Sequence, residues 1–259
     1  MITTYMRFAI RVLLISIVIS AIPTYSNAAS TPVNKNTKQI ALTFDDGPDL
    51  KYTPEILKIL AKYKINATFF VLGKQMQRYP EMTKKIASAG HVLANHTWSH
   101  RQLKLLSDIK IAYEIRATNQ LIFKLTGQKN HLFRPPYGAI SPSQRKLIQK
   151  QGYQLSFWNV DTRDWSGNLP NAMLNIVKRQ LRHQSVILMH CYGGDPKNAN
   201  YTVETLNTLI PVYLKRGYQF VTISQLPVPV KLRTPFRQTY APIKQQPKPM
   251  IGVIHPIFK

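Results

Sequence analysis

The sequence predicts an α/β fold built on a parallel sheet. Three observations point there. From Gln39 onward, short β-rich runs alternate with helical stretches. A glycine (Gly90, Gly127, Gly152, Gly217) follows each of four helical runs, where a left-handed residue ends a helix at low cost. The chain also has a single cysteine, Cys191, so no internal disulfide forms and the fold rests on a buried core. An apolar content of 44% supplies that core.

In order, strands are expected over 39–44, 68–72, 92–95, 132–134, 154–160, 186–190 and 219–222. Helices are expected over 54–63, 80–89, 108–126, 142–150, 172–181 and 203–216. Thr53 would cap the first helix, with Pro54 at its first position. Ser141-Pro142-Ser143-Gln144 has the form of a capping box. Seven parallel strands can stay open or close as a barrel. Either way, functional residues gather at the carboxyl ends of the strands.

The flanks differ from this body. Arg7 and Arg11 precede an apolar run from Val12 to Ile22, and Ser26-Asn27-Ala28 offers a small-residue cleavage site. Residues 1–28 therefore read as a secretory signal peptide, the alternative being an uncleaved N-terminal membrane anchor. Export would place the chain in a periplasm, a cell envelope or the extracellular space. Residues 29–37 are small and polar and read as a linker. The α/β body spans 38–226. Residues 227–259 hold seven prolines, six Lys or Arg and no acid, a basic Pro-rich tail. Its plain reading is an extended segment, although Phe236, Ile251 and Ile254 could pack on the body. Its functional reading is a strap for an anionic polymer.

Charge narrows the partners. There are 35 Lys and Arg against 11 Asp and Glu, a net charge of +24. Such a surface suits polyanions. Export disfavours nucleic acid and favours an anionic envelope polymer. No protein partner is predicted.

Because acids are scarce, their positions matter. Asp45 and Asp46 sit together at the end of the first strand, within Thr43-Phe44-Asp45-Asp46-Gly47-Pro48. Adjacent carboxylates repel unless a cation is near. His96-Thr97-Trp98-Ser99-His100 follows the third strand, and histidines four apart can share a metal. Phe133-Arg134-Pro135-Pro136-Tyr137-Gly138 holds an arginine on a backbone stiffened by two prolines. Asp161-Thr162-Arg163-Asp164-Trp165 adds two further acids beside an aromatic. Val186-Ile187-Leu188-Met189-His190-Cys191 is an apolar strand ending in histidine. Alone, each has an ordinary reading: a solvated turn, a rigid loop, a surface ion pair or a structural histidine. Together, five such segments at successive strand ends describe a site. Two imidazoles and a carboxylate make a metal site with open positions.

In this order the five segments resemble the motifs of the polysaccharide deacetylases with a NodB homology domain, carbohydrate esterase family 4. The similarity runs from Thr43 to His190. It implies a distorted (β/α)7 barrel forming one catalytic domain. It implies that Asp46, His96 and His100 ligate one divalent metal, usually zinc, with cobalt, nickel or manganese as substitutes. Asp45 would be the general base and His190 the acid. Arg134 would position Asp45, and Asp164 would hold His190. The backbone N–H of Tyr137 would help stabilise the oxyanion. Trp165 and Leu188 would line the acetyl pocket. The implied substrate is an N-acetylated polysaccharide, peptidoglycan first and a chitin-like glycan second. Two alternatives stay open: a catalytically weak glycan-binding module, and an O-acetyl esterase of the xylan type.

One residue departs from the family pattern. Cys191 stands where an aspartate usually follows the last histidine. Strand neighbours face opposite sides, so Cys191 should face away from His190; a Cys–His nucleophile pair is not expected, and the substitution should alter a structural hydrogen bond rather than the proton donor. A thiol ligand for the metal is the lesser alternative. His91, His131, His183 and His255 match no motif and read as structural. Asn95 lies in a glycosylation sequon, but a glycan there would crowd the metal ligands.

Overall fold

The computed structural model describes residues 38–191 and 196–226. The expected signal segment (1–28), linker (29–37) and tail (227–259) lie outside the described residues. Strand β1 (Gln39–Asp45) is the centre of the molecule. It is followed by helix α1 (Tyr52–Lys62), strand β2 (Thr68–Val71), helices α2 (Gly73–Arg78) and α3 (Pro80–Ser88), and strand β3 (Val92–Asn95). Helix α4 (Asp108–Thr126), strand β4 (Leu132–Phe133), helix α5 (Pro142–Lys150) and strands β5 (Gln154–Leu155) and β6 (Val160–Asp161) come next. Helix α6 (Pro170–Gln180), strand β7 (Gln184–His190), helix α7 (Pro196–Lys215) and strand β8 (Gln219–Phe220) complete the order.

Every strand pairing is parallel, and the order across the sheet is β5-β4-β3-β2-β1-β7-β6. β8 pairs with the start of β1, at Gln39 and Ile40, below the point where β2 joins at Thr43. β5 and β6 occupy opposite edges of this path, yet only residues 156–159 separate them in sequence. The five Cα–Cα steps from Leu155 to Val160 span no more than about 18 Å. The sheet must therefore curl until its edges nearly meet, which gives the distorted barrel.

The single strand expected over 154–160 is thus two strands. The break has a tertiary cause. The carbonyls of Ser156 and Phe157 turn to the guanidinium of Arg134, at 3.3 Å each, rather than to a neighbouring strand. Helix α2 was not expected. It is one short segment between Leu72 and Pro80, too short to carry a helical repeat. Helix α1 is capped by Asp49, whose carboxylate accepts from the N–H groups of Tyr52 and Thr53 at 2.9 and 2.7 Å. Thr53, the expected cap, lies inside the helix, and its hydroxyl accepts from the Asp49 N–H. The capping box at Ser141 and Gln144 forms as expected. The four helix-ending glycines all have positive φ.

Side-chain alternation sorts the strands into two faces. Ile40, Leu42 and Phe44 of β1, Phe69 and Val71 of β2, and Ile187 and Met189 of β7 face outward into the main core, against Ile56 and Leu60 of α1 and Leu206, Leu209 and Ile210 of α7. The intervening residues face into the barrel. Phe70, Ala94 and Leu132 make a small inner cluster there. Thr43, Asp45 and His190 belong to the same inward series, so the pattern that builds the outer core also aims the polar residues at the barrel mouth. No helix among the described residues is long and apolar enough to cross a membrane.

His91 gives the fold a pH dependence. It is buried, its Nδ1 accepts from the Ala67 N–H at 3.2 Å, and its carbonyl accepts from the Gln128 amide. Burial lowers its pKa from 6.5 to about 4. A histidine depressed in this way leaves stability intact above pH 6.5. Stability is lost as pH falls toward 4, because the unfolded chain takes up the proton first. At pH 5 the penalty is about 2 kcal/mol. The His91→Gln chain is expected to lose about that much less stability between pH 7 and pH 5, measured by urea unfolding. Equal losses in the two chains would remove His91 as the cause.

Candidate active site

The carboxyl ends of β1, β3, β4 and β7 bring the sequence-predicted residues together. β1 delivers Asp45, and Asp46 follows in a left-handed conformation (φ 75°). The two carboxylates therefore diverge. Asp45 Oδ1 accepts from Arg134 Nη1 at 2.7 Å, while Asp46 turns toward His96 and His100.

Arg134 is fully buried inside the barrel. Its Nη1 also donates to the Thr43 hydroxyl at 2.9 Å, and its guanidinium lies over the Phe70 ring at 3.9 Å from the centroid. Burial pulls its pKa down, and the neighbouring Asp45 opposes that shift. A fork with these fixed acceptors leaves Asp45 little rotational freedom.

His96 is buried, and its Nδ1 donates to the Arg134 carbonyl at 2.8 Å. That bond fixes the tautomer and leaves the Nε2 lone pair open. His96 Nε2 lies 3.4 Å and His100 Nε2 lies 3.2 Å from Asp46 Oδ1. The three ligand atoms fall within 4.8 Å of one another. Asp46 Oδ1 is buried and accepts no hydrogen bond. Burial would raise the Asp46 pKa, but the three imidazoles of His96, His100 and His190 hold it below the usual carboxylate range. Burial lowers the His100 pKa against the pull of Asp46, which keeps its nitrogen available as a donor to metal. A buried carboxylate oxygen without a partner, facing two imidazole nitrogens, fits one divalent cation.

On the other side of the mouth, His190 Nδ1 donates to Asp164 Oδ1 at 2.8 Å. Asp164 is held in turn by the N–H groups of His190 and Trp165 and by the Thr202 hydroxyl. Burial alone would lower the His190 pKa. Asp164, with Asp46 and Asp45 nearby, pushes it up to about 10. Asp164 thus favours the imidazolium form of His190. A cation held by Asp46 would cancel part of that effect and move the pKa back toward neutrality.

The remaining expected residues fall around this centre. The Tyr137 ring packs edge-on to His100 at 4.7 Å, on a left-handed backbone (φ 61°). Trp165 is half-exposed beside Asp164. Leu188 is buried two residues before His190 on β7, on the same inward face. Cys191 faces away, within the outer core. Its thiol donates to the Asp45 carbonyl at 3.4 Å, and its backbone N–H donates to the same oxygen at 3.1 Å. Burial raises the thiol pKa well above 9.0. It is a structural thiol under the Asp45–Gly47 turn and lies outside the metal cluster. A side chain on Gly47 would collide with its sulfur, so this turn needs glycine.

Sequence reasoning missed Thr43, Thr202, Asn95 and Glu114. Asn95 is fully buried and bonded to α4, which rules out a glycan on it. Glu114 carried a readable signal, being one of only 11 acids. Thr202 had none.

Comparison with known proteins gives the family. The polysaccharide deacetylase family model matches residues 33–156. A peptidoglycan-N-acetylglucosamine deacetylase of Bacillus cereus is 38% identical over 202 residues, 78% of this chain and 72% of the relative. A peptidoglycan-N-acetylmuramic acid deacetylase of Bacillus subtilis, PdaC, is 37% identical over 75% of this chain and 40% of its own length. Among solved structures, a peptidoglycan N-acetylglucosamine deacetylase superposes with a TM-score of 0.70 at 37% identity, over 73% of this chain and 88% of that one.

Proposed function

The chain belongs to the polysaccharide deacetylase family, and from that premise we propose that it hydrolyses the acetamide of N-acetylhexosamine residues in peptidoglycan. One observation carries the reading: the Asp46–His96–His100 cluster sits between a positioned carboxylate, Asp45–Arg134, and a positioned imidazolium, Asp164–His190. Amide hydrolysis requires a base for water, relief for an oxyanion and an acid for a poor leaving group. The named activities of the relatives support peptidoglycan as the polymer. So do the net charge of +24, suited to an anionic envelope, and the export signal read in residues 1–28.

Asp46, His96 and His100 would hold one divalent cation. Zinc fits best, since two imidazoles and a carboxylate leave positions open. The cation supplies a Lewis acid beside the acetyl group. Asp45, held by Arg134, takes the proton from water as its oxygen attacks the acetyl carbon. The Tyr137 N–H donates to the carbonyl oxygen as it gains negative charge. The carbon–nitrogen bond then breaks, and His190 gives its proton to the sugar nitrogen. Acetate and a free amine result. Asp164 keeps His190 protonated and oriented. Trp165 and Leu188 make the apolar wall for the methyl group.

The test is acetate release from peptidoglycan and from N-acetylglucosamine oligomers, with zinc added or chelated. Release from peptidoglycan is expected, with activity lost on chelation, restored by zinc and absent in His96→Ala. Release from acetylated xylan alone would move the reading to an O-acetyl esterase. Stoichiometric zinc with no release from any polymer would favour a glycan-binding module.

A further inference from the structure

The two histidines are carried by an unusual loop. Residues 96–100 leave β3 with Thr97 at φ 74° and His100 at φ 57°, both left-handed and neither glycine. L-residues enter that region uphill, so the loop must be held from outside. It is held on two sides. On one, the N–H groups of Gly73 and Lys74 at the start of α2 donate to the carbonyls of Thr97 and Trp98, at 3.1 and 3.0 Å. The Trp98 ring lies so close to Gly73 that a Cβ there would overlap it.

On the other side stands Glu114, in the middle of α4 and nearly buried. Its Oε2 accepts from the N–H groups of Trp98 and Ser99, at 2.9 and 2.8 Å. Its Oε1 accepts from the Ser99 hydroxyl at 2.6 Å. Two successive N–H groups thus converge on one carboxylate oxygen, the kind of concavity that binds an anion. These N–H groups belong to residues between the two histidines. Glu114 is too far along its helix to cap it. Its three acceptor contacts all go to this loop.

We propose that Glu114 is a positioning residue for the metal ligands: by gathering the N–H groups of Trp98 and Ser99, it sets the separation of His96 and His100. The inference rests on the reading that Asp46, His96 and His100 hold a metal. It follows that Glu114 controls metal affinity through geometry rather than through its charge. Partners that orient metal ligands typically change affinity by about 10–100-fold when lost.

Two substitutions separate length from charge. Glu114→Gln keeps the reach and an oxygen that can accept both N–H groups, but removes the charge. Glu114→Asp keeps the charge and falls short of the loop. Zinc affinity would be measured on the full chain by competition with a chromophoric chelator, with thermal unfolding followed in parallel. Glu114→Asp is expected to weaken zinc binding about 10-fold or more, and Glu114→Gln by less than about 3-fold. The reverse order would assign the effect to charge and overturn the proposal. Unchanged affinity in both variants, even with a lowered melting temperature, would make Glu114 purely structural and overturn it as well. Failure of the underlying reading looks different: the native chain would then bind no zinc, or His96→Ala would bind it equally well.

Discussion

The Asp45→Asn chain is expected to bind zinc within a few-fold of the native affinity while turning over about 10²–10⁴-fold more slowly. The reasoning starts from the divergence of the two carboxylates. Asp46 Oδ1 faces both imidazoles, whereas Asp45 gives Oδ1 to Arg134 and brings only Oδ2 near one of them, 3.6 Å from His96 Nε2, so the cluster of ligand atoms is Asp46, His96 and His100. Asparagine has the same shape as aspartate and can still accept from Arg134, but it cannot take a proton from water. The substitution therefore removes the base and leaves the metal site. Acetate release and chelator competition on the same preparation would decide it. Wild-type turnover would exclude Asp45 as the base. Loss of zinc together with turnover would show that Asp45 is needed to assemble the site, and the division of labour between the two aspartates would have to be redrawn.

That division was legible in the sequence only in part. The pair Asp45-Asp46, the spacing of His96 and His100, and the positions of Arg134, Asp164 and His190 could all be read, because chemistry-bearing residues at strand ends stand out against an acid-poor, apolar background. The parallel α/β alternation was legible for the same reason that the site is well aimed. Period-two patterning in β1 and β7 both fills the outer core and turns Asp45 and His190 inward. What could not be read was anything depending on contacts between distant segments. The strand expected over 154–160 breaks because Arg134, 22 residues away, draws in the carbonyl of Ser156. Thr202 supports Asp164 across 38 residues, and no local pattern announces a threonine in that role. Asp49 replaced Thr53 as the cap of α1 because a turn after Pro48 brings its carboxylate over the helix start. Propensity alone ranks the two residues almost equally.

Arg134 carries the largest expected effect on stability. The Arg134→Met chain should lose about 3–5 kcal/mol, because it leaves the Asp45 carboxylate buried without its cation. If the cost came from lost packing, removing the carboxylate as well would not help. If it comes from the unpaired charge, the Arg134→Met/Asp45→Asn chain should be more stable than Arg134→Met alone. Recovery should be incomplete. The Thr43 hydroxyl and the carbonyls of Ser156 and Phe157 also lose a donor, and each such buried acceptor costs about 1–3 kcal/mol when left bare. Urea unfolding of the native chain, both single variants and the double variant closes the cycle, and a coupling energy of about 0.5–3 kcal/mol is expected. Neither chain lacking Arg134 should regain activity, even where stability returns. A double variant less stable than Arg134→Met would mean that the charge pair is not what holds residues 156–159 across the seam of the barrel, and that packing of Phe70 and Trp158 around the guanidinium does.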